Sequence, residues 1–333
     1  MVMRSRKRKW IGLAAGCALL LFGMLAGVLF GLQRFSLHDL WLSYTQFNGS
    51  NEHLILTTSR VPRVLIAASV GASLAVAGAI MQVLTKNPMA SPSLLGINSG
   101  AVLFIVVGLA FTGSSLPMSG MIWVALGGAA ITSLFVYTLS MHGGGGFEPI
   151  KLTLAGAAVA AFASSVTSGI MLIYKHSLET ALLWMIGSIA GRQLSHLLFV
   201  LPYLCTGWLL SMLIAGSLNV LALGDDSAKS LGQRLILIRA VSVLAVILLA
   251  GGSVSAAGPI AFVGLIVPHL CRYIVGNDHS WLLPYSALTG AILLVAADLA
   301  SRFVLMPKEV PVGVATALIG VPFLIFVARR RRS

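Results

Sequence analysis

Charge is what this sequence has little of. Aspartate, glutamate, lysine and arginine make up only 9% of its 333 residues, against roughly 25% in an ordinary soluble domain. Nine of them are acids. That deficit, with 58% hydrophobic residues and a mean hydropathy of +0.96, excludes a soluble domain carried on one anchor. Cysteine is scarce as well. Cys17, Cys205 and Cys271 lie in or beside apolar segments with no mutual spacing. They make neither a disulfide framework nor a zinc site, and read as small buried residues. Short alternating strands are lacking, which excludes an outer-membrane barrel. No Gly-Lys-Ser/Thr follows the four glycines at 143–146, so a phosphate cradle is excluded there. No nucleophile–base set or metal-ligand cluster stands out, and no cofactor is expected.

What is present is apolar length. Long runs argue for a polytopic all-α membrane protein, and 35 glycines let its helices approach closely. The net charge of +13 is concentrated at the ends, in Arg4, Arg6, Lys7, Arg8 and Lys9, and in Arg329 to Arg332. Each cluster abuts an apolar run, which is the positive-inside signature rather than a nucleic-acid footprint. Both termini are therefore expected in the cytoplasm, with an even number of spans. The run from Trp10 to Leu32 is longer than a signal-peptide core and lacks a clear cleavage site, so it reads as an uncleaved first span.

Ten spans follow from apolarity and charge, at about 10–32, 63–84, 94–112, 120–140, 151–174, 196–216, 235–254, 260–275, 282–301 and 311–328. Residues 33–59 are too polar to cross and face outside, as do 303–308. Lys175 and His176 mark another outer turn. Residues 180–190 are too short to cross and fit an outer-face helix ended by Gly191 and Arg192. The eighth span is short and Pro-interrupted, which often marks a functional core in transporters. No separate soluble domain is visible, so residues 1–333 read as one transmembrane domain.

Residues 221–234, LALGDDSAKSLGQR, form a polar island between two apolar spans. Gly224 breaks the chain, Asp225 and Asp226 suit an N-cap and first turn, Lys229 the last turn, and Gly232 a helix end. Taken alone, such a stretch is a solvated loop. Being short, capped and alone of its kind in the chain, residues 224–232 (Gly224, Asp225, Asp226, Ser227, Ala228, Lys229, Ser230, Leu231, Gly232) read as a surface for a soluble partner.

Three arginines oppose the charge bias. Arg60, Arg63 and Arg302 fall on the outer side, where snorkelling to lipid headgroups competes with docking of carboxylates as their role. Asp298 is the acid well within a span. It reads either as an ion site, which would suit an ion-coupled secondary transporter, or as a partner of Arg302 at i, i+4, and the pair is favoured. His269 has no spaced second ligand and reads as a capping or packing residue. Gln82 and Asn87 are expected to satisfy backbone groups freed by Pro88.

Seven strings then combine: RVPR at 60–63, GASLAVAGAIMQVLTKNPMASPSLLG at 71–96, WMIGS at 184–188, LALGDDSAKSLG at 221–232, GPIAFVGLIVPHLCR at 258–272, AADLASR at 296–302 and EVPVGVATALIGVPF at 309–323. In this order they resemble the FecCD-like permease family of ABC importers, which carry iron–siderophores, haem and cobalamin. The resemblance covers the chain from about residue 60 onward. It implies a ten-span permease fold and a second permease subunit, identical or related. It further implies two cytoplasmic ATPase subunits and an extracytoplasmic binding protein. By the same resemblance, residues 221–232 are the ATPase-coupling surface, and Arg60, Arg63 and Arg302 meet acids of the binding protein. The expected protein is a plasma-membrane permease, not an enzyme, importing an iron(III)–siderophore.

Overall fold

The structure, a computed structural model, describes residues 5–112, 117–142, 147–174, 178–306 and 308–330. Arg4, residues 113–116, the glycines at 143–146, Lys175, His176, Pro307, Arg331 and Arg332 lie outside the described residues, and so do the readings made of them.

The described chain is helical throughout its spans. In order, the helices are α1 (Arg6–Leu29), α2 (Leu37–Thr45), α3 (Asn51–Leu84), α4 (Ile97–Thr112), α5 (Met118–Met141), α6 (Pro149–Ile173) and α7 (Leu178–Met185). Then come α8 (Leu194–Leu213), α9 (Ala215–Ala222), α10 (Asp225–Ser230), α11 (Leu235–Ala257), α12 (Val263–Val275), α13 (His279–Val304) and α14 (Val312–Arg330). Seven helices, α1, α3, α5, α6, α8, α11 and α13, are long and apolar enough to cross a membrane. The expected ten is reached only by adding the shorter apolar helices α4, α12 and α14.

Local chemistry sets the ends. Ser36 accepts from Asp39 N while the Asp39 carboxylate accepts from Ser36 N, a reciprocal cap that starts α2. Ser50 accepts from His53 N and starts α3, so this helix begins twelve residues before the expected second span. Its first turns contain a π-helical segment, Ile55–Arg60, and α11 has another at Ile247–Gly251. Such turns often mark functional positions. Buried hydroxyls stay within their own helices: Ser73 donates to Ser69 O, Ser211 to Gly207 O and Ser253 to Leu249 O, each at 2.6–2.7 Å. An apolar surround leaves them little else to bond.

The core is built around α3. In its most apolar stretch 78% of residues are buried, against 11% for α1, whose Phe22 and Leu21 are exposed as a lipid-facing surface requires. Helix α3 packs on α13, α12 and α11. Two glycine pairs allow the approach. A Cβ at Gly71 would overlap the Gly290 carbonyl of α13, and one at Gly78 would overlap the Gly264 backbone of α12. Small residues in such seams let helix backbones touch where no hydrophobic drive separates helix from lipid. Of the cysteines only Cys271 is buried; Cys17 and Cys205 are exposed, contrary to expectation, because their helices α1 and α8 turn those faces outward.

A second junction uses glycine at one end of the bundle. Gly187, just past α7, takes φ +73°, and a Cβ there would strike the Pro259 carbonyl. Gly313 N donates to Gly187 O at 3.0 Å. The strings WMIGS, GPIAF and PVGV, far apart in sequence, meet here.

The α3–α12 seam sets a prediction. Gly78→Ala must push two backbones apart and is expected to cost about 1–3 kcal/mol. Gly127 of α5 has open space around its missing Cβ, so Gly127→Ala should be neutral or gain up to about 1 kcal/mol. Thermal unfolding in detergent reads both, and equal midpoints for the two variants would refute the seam.

Candidate functional site

Helix α3 places chemistry at both of its ends. Arg63 and Lys86 are separated along it by about 35 Å at 1.5 Å per residue, close to the hydrocarbon thickness of a bilayer.

At the Arg63 end lies a buried ionic cluster. Asp298, on α13, is 2% exposed. Its carboxylate accepts from Arg63 Nε at 2.9 and 3.1 Å and pairs with Arg63 Nη2 at 2.9 Å. It also pairs with Arg302 Nη2 at 2.6 Å, one turn along its own helix. Arg63 Nη1 reaches Glu309 at 2.5 Å. Arg302 Nη1 donates to Gly27 O at 2.6 Å and Phe30 O at 3.3 Å, and Arg60 donates to Phe30 O and to Gln33 O. The carbonyls at 27 and 30 lie in the last turn of α1 and at its C-cap. They have no intrahelical donor and carry the negative end of the helix dipole, so guanidinium groups settle there.

The Asp298–Arg302 pair expected from i, i+4 spacing is present. That Arg63 shares the carboxylate is not legible from spacing, because the two are 235 residues apart. Both oxygens of Asp298 are already engaged by guanidiniums, which removes the ground for reading it as an ion-coupling residue. The structure brings Arg60, Arg63 and Arg302 to one end but turns two of them inward. Arg63 is 7% and Arg302 1% exposed, while Arg60 is half-buried, with its guanidinium over the Phe35 ring at 5.8 Å.

At the Lys86 end lies the short helix α10. Its N-cap is Gly224 at φ 112°, not an aspartate. Asp225 instead spends its carboxylate on Lys86 Nζ at 3.1 Å and on Arg239 Nη2 of α11 at 2.6 Å. Burial alone would raise the Asp225 pKa, but the hydrogen bonds and charges of Arg239 and Lys86 outweigh it and hold the carboxyl below its ordinary value. Arg239 also stacks over Phe147 at 4.5 Å. The C-terminus closes as expected: Gly232, at φ +75°, donates to Lys229 O at 2.9 Å, and Gln233 N donates to Ala228 O at 2.9 Å. Ala228 is fully buried, whereas Asp226, Ser227, Lys229, Ser230 and Leu231 are exposed. Lys86 and Arg239 were missed in the sequence. Lys86 itself has φ +51°, an uncommon value for a side-chain-bearing residue.

Between the ends, polar groups tie helices together. Gln82 donates to Leu265 O at 3.3 Å and accepts from Arg272, so it links α3 to α12 rather than serving the Pro88 turn. Asn87 does serve that turn, accepting from Met89 N at 2.9 Å. His269 packs edge-on against Tyr273 and Phe323. Asn219 of α9 donates to Asp278, the N-cap of α13, at 2.7 Å. A cleft of about 340 Å³ between α4 and α6 is lined by Asn98, Ser99, Ser164, Thr167 and Ser168. Three of these follow i, i+3, i+4 spacing on α6, a signal visible in the sequence but not read from it.

Apolar helices packed around one central span, with charge gathered toward their ends, define a polytopic membrane protein. A family model for the FecCD transport family matches residues 19–330, and the chain belongs to that family. It is 46% identical over 330 residues to the "Probable siderophore transport system permease protein YfiZ" of Bacillus subtilis (strain 168), covering 99% of each chain. It is 44% identical over 313 residues to the Fe(3+)-citrate import system permease protein YfmD of the same organism, covering 94% of this chain and 92% of that one. A solved structure of a transporter described as metal-chelate ABC type, in an inward-facing conformation, superposes with a TM-score of 0.82 at 27% identity, covering 95% and 98% of the two chains. The chain is thus the membrane-spanning permease subunit of an ABC importer, a transport component and not an enzyme.

Asp298→Asn should leave Arg63 and Arg302 as buried cations short of a partner. A loss of about 3–5 kcal/mol is expected, read as a lowered unfolding midpoint and reduced yield of monodisperse protein. Wild-type stability in this variant would contradict the cluster.

Proposed function

We propose that this permease, with residues 1–333 acting as one transmembrane domain, imports an iron(III)–siderophore across the plasma membrane. The observation that carries the reading is end-to-end similarity. The chain matches relatives named for siderophore and ferric citrate transport over 99% and 94% of its length. The exposed face of α10, from Asp226 to Leu231, then meets a cytoplasmic ATPase subunit. The opposite end of α3 faces outward and receives the binding protein, with the half-exposed Arg60 foremost among Arg60, Arg63 and Arg302. A second permease subunit completes the pathway, and both termini lie in the cytoplasm. Transport is alternating access: ATPase closure pulls on residues 221–232 and tilts the spans that flank them.

Uptake of iron-55-labelled siderophore by cells lacking and regaining this chain tests the reading. Ala228→Pro removes the hydrogen bond from Ala228 N to Gly224 O, 3.0 Å long, and costs ~3 kcal/mol or more locally. The variant is expected to insert normally yet lose uptake and ATPase association. Normal uptake would place the coupling surface elsewhere.

Docking calls for a narrower change. Reversing Arg63 would break the cluster with Asp298 and Glu309 and confound the result. Arg60→Glu is cleaner: binding-protein affinity should fall a few-fold, more at low salt than at high salt. Affinity that is unchanged at low ionic strength would rule Arg60 out of the contact.

A further inference from the structure

The segment joining α7 to α8 holds a buried charge with no counter-ion among the described residues. Arg192 is 6% exposed. Its Nε makes a long contact to Ser188 O at 3.4 Å, and Nη1 lies 2.6 Å from the sulfur of Met118, a weak acceptor. Among the described residues no carboxylate is within ion-pair distance of it. Arg63, Arg239 and Arg302 are buried to a similar degree, and each has a carboxylate within 2.9 Å. Burial lowers the Arg192 pKa to about 10, so the group is still a cation at neutral pH.

Trp184, 5% exposed, lies on the same cleft as Arg192, with its own Nε1–H turned away from the open space. Arg192 and Trp184 together line a cleft of about 370 Å³ with Met118, Ile186, Ser188 and Pro311. Its wall is chiefly apolar, and its size falls in the range of small-molecule sites. Pro311 is two residues from Glu309, which puts the cleft at the same end of the bundle as the arginine cluster. A buried guanidinium held only by one long carbonyl contact and a weak sulfur acceptor is costly, and an anion arriving in the cleft would satisfy it.

We propose that this cleft is an oxyanion subsite at the outer mouth, where Arg192 holds a carboxylate oxygen of the incoming iron chelate. The assignment rests on the import function proposed above and names a substrate-binding residue for it. A recessed guanidinium suits a small molecule that can enter the cleft, whereas a carboxylate on a docking protein surface would meet the more open Arg60 first.

The test uses citrate as probe. Purified permease in nanodiscs is titrated with citrate and followed by thermal shift, as wild type and as Arg192→Gln and Arg192→Lys. Saturable stabilisation is expected for wild type, weakened about tenfold or more by Arg192→Gln and partly restored by Arg192→Lys. In the assembled transporter, Arg192→Gln should raise KM for ferric citrate with little change in kcat, and should leave binding-protein affinity unaltered. Folded Arg192→Gln with wild-type citrate binding and KM would overturn the subsite while leaving the import reading intact. A fall in binding-protein affinity would also overturn it, by assigning Arg192 to a protein carboxylate. Failure of the wild-type transporter to take up any ferric chelate would overturn the import reading, and the subsite with it.

Discussion

The close approach of α3 to α12 and α13 is the constraint on which the remaining structure depends. Gly71 faces Gly290 and Gly78 faces Gly264 with no room for a methyl group between the backbones. In a bilayer, helices gain nothing from leaving lipid as such; they gain from dispersion contacts and close dipoles, which grow steeply as backbones approach. The glycine seams draw three helices into one unit and bury α3 at its centre. Once α3 is fixed, its two ends are fixed as well, and each end gathers charge from distant parts of the chain. Arg63 meets Asp298 and Glu309 at one end, and Lys86 meets Asp225 at the other.

Those two charge clusters differ in kind. The Asp298 cluster is buried, and its arginines are shared between carboxylates and the frayed carbonyls of α1. Removing one member strands another, so the cluster fixes geometry more than it adds stability. The Asp225 cluster is more open. Asp225 is 28% exposed and Lys86 46%, so each ion pair contributes little by itself. Its effect is to bind a six-residue helix, too short to be stable alone, to α3 and α11 at once. In the proposed coupling, these pairs are the route by which force on α10 reaches the central span. A rigid centre with a lightly tethered surface helix suits a protein that must transmit motion across a membrane.

Much of this was readable in the sequence. The apolar runs give the spans because lipid admits only helices that satisfy their own backbone groups. The capped island at 224–232 declares itself by position. Asp298 and Arg302 could be paired because four residues on a helix share a face. What stayed hidden was the pairing of residues far apart in sequence. Arg63 and Arg302 read as outward-facing because a charge at a span's end ordinarily seeks water, and only the folded α1 reveals the carbonyls that hold Arg302 inside. Residues 51–59 read as part of a polar outer loop, yet the Ser50 cap and a π-helical turn carry α3 through them. Arg192 read as a helix stop beside Gly191, because a lone arginine in a connection gives no hint that it will be buried with no carboxylate beside it among the described residues.

The central claim is that the two ends of α3 serve different partners on opposite sides of the membrane. Site-specific photo-crosslinking in the assembled transporter tests it most directly, with a photoreactive residue at Leu231, beside α10, or at Leu305, beside the arginine cluster. Both positions are exposed, at 67% and 63%. The account predicts that position 231 captures the ATPase subunit and position 305 captures the binding protein, each without the other. Capture of the same partner from both positions, or the reverse pairing, would contradict it.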